Sequence, residues 1–186
     1  AIDGVVPLSK MDQQRKRRYR SAADRIIHNE LQEKYNMPIE TNDFNMISPG
    51  TQFMQSIDNL DYTMPNCEVI VNPSSQPGEG EHKLFQYIRE KNIAIDDTVA
   101  VYGLDSDLIM LSLYHLKYSK HIYIFRDTPE FLKSKLIFQN SANCIHFLDI
   151  NKLADSIQTE MSCGAKNDRR VYDYVFMCYL LGNDFL

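Results

Sequence analysis

Six acidic residues have side chains that could together bind metal ions; five lie near predicted strand ends or helix starts, and the sixth lies at the end of the last predicted helix. They are Asp3, Glu79, Glu81, Asp105, Asp107 and Asp184. Two carboxylates about 6 Å apart at an effective dielectric constant near 20 repel each other by roughly 3 kcal/mol, so such a cluster is normally neutralised by cations. Carboxylate oxygens favour Mg²⁺ or Mn²⁺ over zinc. The residues therefore predict a divalent-metal site, in which two ions about 3.5–4 Å apart would suit phosphodiester hydrolysis.

Each acidic motif also has a purely structural interpretation. Glu79 and Glu81 alternate with glycines that allow a tight turn, and Asp105 and Asp107 flank Ser106 at a strand-to-helix junction. Acidic side chains at helix starts commonly cap the backbone and interact favourably with the helix dipole. A single motif would therefore indicate capping as readily as catalysis, and only their shared placement favours a metal site.

A basic face on the first predicted helix supplies a second chemical group. Lys10, Gln14, Arg17 and Arg18 are spaced i, i+4, i+7 and i+8, so they lie on one side of a helix. One ammonium, one amide and two guanidinium groups suit a terminal phosphate monoester. The alternative is a solvated charged surface, but this helix begins only a few residues after Asp3. The sequence therefore predicts an anion pocket beside the acidic residues.

The elements that position these side chains alternate between strands and helices. This order predicts an α/β fold with a mostly parallel central sheet flanked by helices. In such folds functional side chains gather at the carboxyl ends of the strands. The predicted strands are the end of one at 1–2, then 67–71, 98–102, 121–125 and 144–148. The predicted helices are 10–35 with Ser9 as N-cap, one opened by Pro49 and Gly50, then 80–91, 106–116, 150–161 and 170–181.

Bulk composition is that of a soluble globular protein. The chain has 186 residues, of which 44% are hydrophobic and 24% charged, and its net charge is -5. Its apolar runs are too short to cross a bilayer, so no membrane association is expected. The four cysteines form no CxxC pair and are expected to be reduced thiols of an intracellular protein. We expect residues 1–186 to be a fragment of a single nuclease catalytic domain, incomplete at both ends.

Five segments in order along the chain carry recognisable motifs: residues 1–20, 47–54, 77–83 (PGEGEHK), 102–111 (YGLDSDLIML) and 175–186 (VFMCYLLGNDFL). Together they resemble the XRN family of 5′→3′ exoribonucleases. The resemblance implies a fold of the PIN/flap-nuclease group. It also implies that the six acidic residues bind the catalytic metal, and that Lys10, Gln14, Arg17 and Arg18 bind a 5′-monophosphate. The family carries a further metal-binding Asp and a base-stacking His in a segment that would precede Ala1.

The activity implied by the resemblance is divalent-metal-dependent, processive 5′→3′ hydrolysis of single-stranded RNA with a 5′-monophosphate end, releasing mononucleotides. The isolated fragment's own activity stays open, because further family segments lie outside it. Two alternatives also remain: a flap or end-processing DNA nuclease of the related fold, and a catalytically silent RNA-binding module. The form of the segment that begins at Tyr102 resembles the cytoplasmic mRNA-decay branch, so we expect a cytoplasmic protein, with the nucleus as the alternative.

Overall fold

A computed structural model describes residues 1–39, 43–91, 93–103, 105–127, 145–162 and 167–182. The chain divides into two compact units, one formed by residues 1–84 and the other by the described part of 85–183. None of the described helices is both long enough and apolar enough to cross a membrane. The prediction of one fragment of a single nuclease domain stays a prediction.

The first unit is built from helices and loops. Its elements are α1 (Leu8–Lys34), a short 3₁₀ helix (Phe44–Met46), α2 (Gln52–Asp58) and the first turn of α3 (Gly80–Glu90). The three α-helices match the predicted positions. The N-cap prediction for Ser9 is wrong, because Ser9 lies inside α1 and Pro7 precedes the first helical residue. The carbonyl of Pro7 accepts hydrogen bonds from the backbone N–H groups of Lys10 and Met11.

Residues 67–71 do not form the predicted strand. Their side chains are exposed throughout, and nearby there is only an isolated bridge between Met64 and Cys67. The expected strand end at residues 1–2 is also not a strand, although Ile2 N donates to Asn72 O at 2.9 Å. A β-branched run favours a strand only where another strand pairs with it and buries one of its faces. Neither segment has such a partner strand among the described residues, so the local preference is not realised.

The second unit holds the sheet. Its strands are β1 (Thr98–Tyr102), β2 (His121–Asp127) and β3 (Ile145–Asp149), and its helices are α4 (Asp107–His115), α5 (Ile150–Met161) and α6 (Arg169–Leu180), besides the rest of α3. β2 is central: it runs parallel to β1 and antiparallel to β3. The elements match their predicted positions, but the sheet is small and mixed. A mostly parallel central sheet is therefore not confirmed.

Apolar side chains from β1, β2 and the helices form the core of the second unit. Phe85, Val101, Leu113, Ile122 and Ile150 are each at most 1% exposed. α5 packs on β2, and α4, α5 and α6 pack on one another. Each of these helices thus buries one face in the core of the unit.

A buried histidine also belongs to this core. The ring of His115 is 1% exposed and lies 4.6 Å from the Phe85 ring. Its Nδ1 lies 2.6 Å from Leu111 O, and its Nε2 lies 2.9 Å from Arg89 Nη1. Burial lowers the pKa of His115, so the neutral imidazole is favoured.

Two of the four cysteines lie among the described residues. Cys67 and Cys178 are free thiols, and Cys67 is exposed. The other two cysteines, at positions 144 and 163, lie outside the described residues.

Candidate active site

The acidic motif of the first unit is assembled by contacts between the start of the chain and the start of α3. Asp3 Oδ1 accepts a hydrogen bond from Gly80 N at 2.6 Å. A Cβ atom at Gly80 would lie 3.0 Å from Ala1 O and 3.1 Å from Asp3 Oδ1, closer than most side chains tolerate. Gly78 adopts φ +100°, which a residue with a side chain rarely does. The two glycines therefore let Asp3 approach the helix terminus that carries Glu79 and Glu81.

Lys83 holds the same two chain segments together. Its Nζ donates to Ile2 O at 2.8 Å and to Pro73 O at 2.9 Å, and the residue is buried. Burial lowers the pKa of Lys83, while the negative charges of Asp3 and Asp58 act in the opposite direction. The position of Asp3 thus depends on a buried cation one turn into α3.

A buried ion pair joins the basic helix to the acidic motif. Lys10 Nζ contacts Glu79 Oε2, and both side chains are buried, at 11% and 8% exposed. Sequence reasoning predicted these residues for two different tasks, phosphate binding and metal binding. The structure instead brings them into direct contact, so the basic face of α1 begins at the acidic motif. The phosphate contact of Lys10 stays a prediction.

The other three predicted phosphate ligands line one cleft of about 450 Å³ in the first unit. Gln14, Arg17 and Arg18 contribute from α1, and Asp3 lies at the same cleft. Arg18 Nη2 donates to Gln14 Oε1 at 3.1 Å, which orients the guanidinium along the helix. Two arginines against one carboxylate leave this cleft with an excess of positive charge. Its lining is therefore suited to an anion with several acceptor oxygens.

Sequence reasoning missed the residues on the opposite side of this cleft. We call Phe44–Pro49 the cleft wall; Phe44, Asn45, Ile47, Ser48 and Pro49 line the cleft from this side, and Met54 of α2 adds to it. Within the wall, Ser48 is buried and Asn45 is half-buried. The available signal was the segment 47–54, which carried part of the family resemblance but was given no role. The polar stretch before it shows neither helical nor strand periodicity in the sequence.

The second acidic motif lies in the other unit. Asp105 follows β1, and Asp107 is the first residue of α4. Asp105 Oδ1 accepts a long hydrogen bond, 3.4 Å, from Asp107 N. The side chain of Leu108 packs closely over Gly103 in the turn between strand and helix, with Cδ1 2.0 Å from where a Cβ atom would lie. This confirms the predicted strand-to-helix junction.

A smaller cleft of about 260 Å³ adjoins the second acidic motif. Asp105, Ser106, Arg126 and His146 line it together with Gly103 and several apolar residues. Arg126 and His146 are register partners on β2 and β3. Sequence reasoning had assigned neither residue to a site, because the cross-strand pairing that brings them to Asp105 is not visible in a single sequence.

The prediction of a metal site rests on the chemistry of the side chains that could bind the ion. Asp3, Glu79, Glu81, Asp105 and Asp107 offer only carboxylate oxygens, which fit Mg²⁺ or Mn²⁺. Neither unit, taken over its described residues, groups three acidic, His or Cys side chains closely enough to hold an ion. The sixth predicted ligand, at position 184, lies outside the described residues. Convergence of all six carboxylates stays a prediction.

Comparison with known proteins adds independent information. Residues 1–128 match the family model described as the XRN 5′-3′ exonuclease N-terminus. The chain is 32% identical over 238 aligned positions to 5′-3′ exoribonuclease 2 of Kluyveromyces lactis, covering 100% of this chain and 24% of the relative. It is 33% identical to 5′-3′ exoribonuclease 2 of Saccharomyces cerevisiae, with 100% and 24% covered. Human 5′-3′ exoribonuclease 1 is 32% identical, with 100% and 12% covered. The chain thus spans about a quarter or less of these relatives.

Proposed function

Since the chain belongs to the XRN 5′-3′ exonuclease family, we propose that it is part of a 5′→3′ exoribonuclease. Its substrate is single-stranded RNA with a 5′-monophosphate end, degraded processively to mononucleotides. One observation supports this specificity above the others: Gln14, Arg17 and Arg18 line a single cleft at which Asp3 also lies. An anion subsite next to an acidic motif is the arrangement needed to cut RNA close to a phosphorylated end.

The cleft's own side chains bind and orient the RNA end. A terminal phosphate carries more negative charge and more acceptor oxygens than an internal phosphodiester, and guanidinium groups bind such oxygens in pairs. Arg17 and Arg18 supply these donors, and Gln14 holds the Arg18 guanidinium in place. Lys10 contributes positive charge at the end of the same helix face while contacting Glu79.

Hydrolysis would use a divalent cation, Mg²⁺ or Mn²⁺, which when bound would stabilise the negative charge that develops on the reacting oxygens. The proposed ligands are Asp3, Glu79, Glu81, Asp105, Asp107 and Asp184. Their oxygen-only donor set supports a hard cation. In the first unit, the hydrogen bond from Gly80 N fixes the orientation of the Asp3 carboxylate. The Lys10 ammonium balances the charge of Glu79 in its buried position.

The test is to measure kcat and KM of the full-length protein on RNA with a 5′-monophosphate, a 5′-triphosphate or a 5′-hydroxyl, with Mg²⁺ and with a chelator. We expect a strong preference for the monophosphate and no cleavage with chelator. Arg17→Gln should raise KM for 5′-monophosphate RNA by about tenfold or more, because a hydrogen bond to a charged group is lost. Arg20→Gln, also on α1 but outside the cleft lining, is the matched control and should change KM little.

Variants of the second acidic motif test catalysis separately from binding. Asp105→Asn or Asp107→Asn should abolish cleavage while leaving RNA affinity within a few fold of the parent protein. Equal activity on all three 5′ ends would refute the proposed phosphate specificity. Faster cleavage of DNA than of RNA oligonucleotides would instead favour a flap or end-processing DNA nuclease, and retained RNA binding without any cleavage would favour a silent module.

We propose that the full-length protein is located in the cytoplasm. The support is the form of the segment that begins at Tyr102, which resembles the cytoplasmic branch of the family. Imaging of the tagged full-length protein tests this, and nuclear accumulation would refute it.

A further inference from the structure

The cleft wall is attached to α1 by the carboxylate of Asp43, a residue that does not itself line the cleft. Asp43 Oδ1 lies 2.6 Å from Arg25 Nη1 and accepts a hydrogen bond from Asn45 N at 3.1 Å. The same carboxylate caps the 3₁₀ helix at the start of the wall. Bonding to the Arg25 guanidinium, helped by the Asn45 amide, lowers the pKa of Asp43, so the carboxylate is charged at neutral pH. One acidic group therefore connects α1 to the backbone of the wall.

The wall returns to α1 at a cleft residue. Asn45 Nδ2 lies 3.4 Å from the backbone carbonyl of Arg18. Asn45 and Arg18 both line the cleft. The chain of contacts thus runs from Arg25 to Asp43, from Asp43 to Asn45, and from Asn45 to Arg18. It links two points on α1 that are two turns apart.

The far end of the wall is attached to the start of α2. Thr51 Oγ1 donates to Met46 O at 2.6 Å and lies 3.0 Å from Ser48 O. The Thr51 side chain also accepts from Met54 N and so caps α2. With Asp43 at one end and Thr51 at the other, the five lining residues between them are held at both sides.

We propose that Asp43 is a positioning residue for 5′-phosphate binding, fixing the cleft wall opposite Arg17 and Arg18. This inference rests on the function proposed above. Asp43 does not line the cleft, so it acts through Asn45 and the backbone of the wall. A phosphate binds more tightly to a subsite whose walls are already held in place, because less conformational freedom is lost on binding. Losing the Asp43 carboxylate would let the wall move away from α1, and the phosphate subsite would lose its shape.

A surface ion pair without function is the competing explanation. Exposed pairs commonly contribute little, and Arg25 and Asp43 are 35% and 47% exposed. The two explanations differ in what they predict for substrate discrimination. Loss of an ordinary surface ion pair should affect the KM for all RNA 5′ ends equally. Loss of a positioning residue should raise the KM for 5′-monophosphate RNA more than the KM for other 5′ ends.

The experiment compares Asp43→Asn and Asp43→Ala in the full-length protein, using RNA with a 5′-monophosphate or a 5′-hydroxyl. We expect KM for the monophosphate RNA to rise about three- to fivefold in Asp43→Ala, with a smaller rise in Asp43→Asn, which keeps an acceptor but loses the charge. kcat and the KM for 5′-hydroxyl RNA should stay unchanged. Adding Arg25→Ala to Asp43→Ala should raise KM little further, because both changes remove the same contact.

Asp12→Asn is the matched control. Asp12 is also an exposed carboxylate paired with a basic residue, Lys16 of α1, at 2.7 Å, but it is not at the cleft. Its substitution should leave both KM values unchanged. Calorimetry can also compare the affinity for a nucleoside 5′-monophosphate with the affinity for the unphosphorylated nucleoside, which gives a readout independent of cleavage.

The outcomes separate this inference from the function on which it rests. If Arg17→Gln weakens monophosphate recognition but Asp43→Ala does not, the role of Asp43 is refuted and the proposed function stands. If Asp43→Ala reduces turnover of both RNAs equally, the residue is merely structural, and the inference is again refuted. If the parent protein does not distinguish the two 5′ ends, both proposals fail.

Discussion

Removing one charge from the buried Lys10–Glu79 pair should loosen the start of the chain from the start of α3. The two side chains are 11% and 8% exposed, so the remaining charge would stay in a poorly solvated position. Breaking a buried pair in this way costs about 3–5 kcal/mol, because the unpaired charge is not compensated. Taking about 3 kcal/mol, Lys10→Met should increase the local opening of this region by roughly 150-fold.

Hydrogen exchange of the full-length protein measures this opening directly. The reporters are the amides of Gly4, bonded to Gly78 O at 2.8 Å, and of Gly78, bonded to Val5 O at 2.8 Å. Both should exchange much faster in Lys10→Met, since local opening exposes them. Glu79→Gln should also speed exchange, because it removes the carboxylate charge from the buried contact.

A double variant is the decisive control for this reasoning. Lys10→Met combined with Glu79→Gln removes both charges, so it should recover most of the protection that either single change loses. An exchange rate within about threefold of the parent protein in Lys10→Met would refute the claim that the pair is buried and stabilising. Additive effects in the double variant would refute the claim that the two charges depend on each other.

Two further predictions concern pH and local structure. Burial holds the pKa of His115 below its usual 6.5, so the unfolded chain binds this proton at a higher pH than the folded chain does. The second unit should therefore lose stability as pH falls below about 6.5, by at most about 1.4 kcal/mol per pH unit. Hydrogen-exchange protection of the α4 amides, corrected for intrinsic exchange rates, should show this loss, and a His115→Gln variant with the same pH dependence would contradict it. Asp58 accepts from Ser74 N at 2.8 Å, Ser74 Oγ at 2.7 Å and Ser75 N at 3.2 Å, which lowers its pKa. The stabilising contribution of the Asp58 carboxylate should be present at neutral pH and should be lost as the pH falls below about 3.8. Asp58→Ala should speed hydrogen exchange of the Ser74 and Ser75 amides at pH 7, and unchanged exchange rates would contradict this.

Much of the secondary structure was predictable because its signals are local. The helical periodicity of Leu84, Tyr87 and Ile88 predicted α3, and the β-branched residues of 98–102 predicted β1. The equally β-branched run 67–71 predicted a strand that is absent. The difference lies outside the run itself: β1 has β2 beside it, whereas 67–71 has no pairing strand among the described residues.

In the candidate site, too, local spacing predicted some features, whereas contacts between distant segments could not be predicted. Helical spacing alone placed Gln14, Arg17 and Arg18 on one face, and all three line one cleft. Spacing could not show that the fourth member of that face, Lys10, pairs with Glu79, which is 69 residues away along the chain. Nor could it show that the cleft wall closes the opposite side, because polar loop residues carry no periodic signal.

By itself, the sequence determined the chemical character of this protein: oxygen-donor carboxylates at helix starts, a guanidinium-rich helix face, and the motif order that relates it to the XRN 5′-3′ exonucleases. Tertiary structure alone decided which of these groups meet, from the Lys10–Glu79 pair to the mixed order of the sheet and the cleft wall held by Asp43. The physical reason is one of range. Backbone hydrogen bonding and side-chain periodicity act over a few residues and leave a local pattern, whereas contacts between distant segments depend on how the whole unit packs.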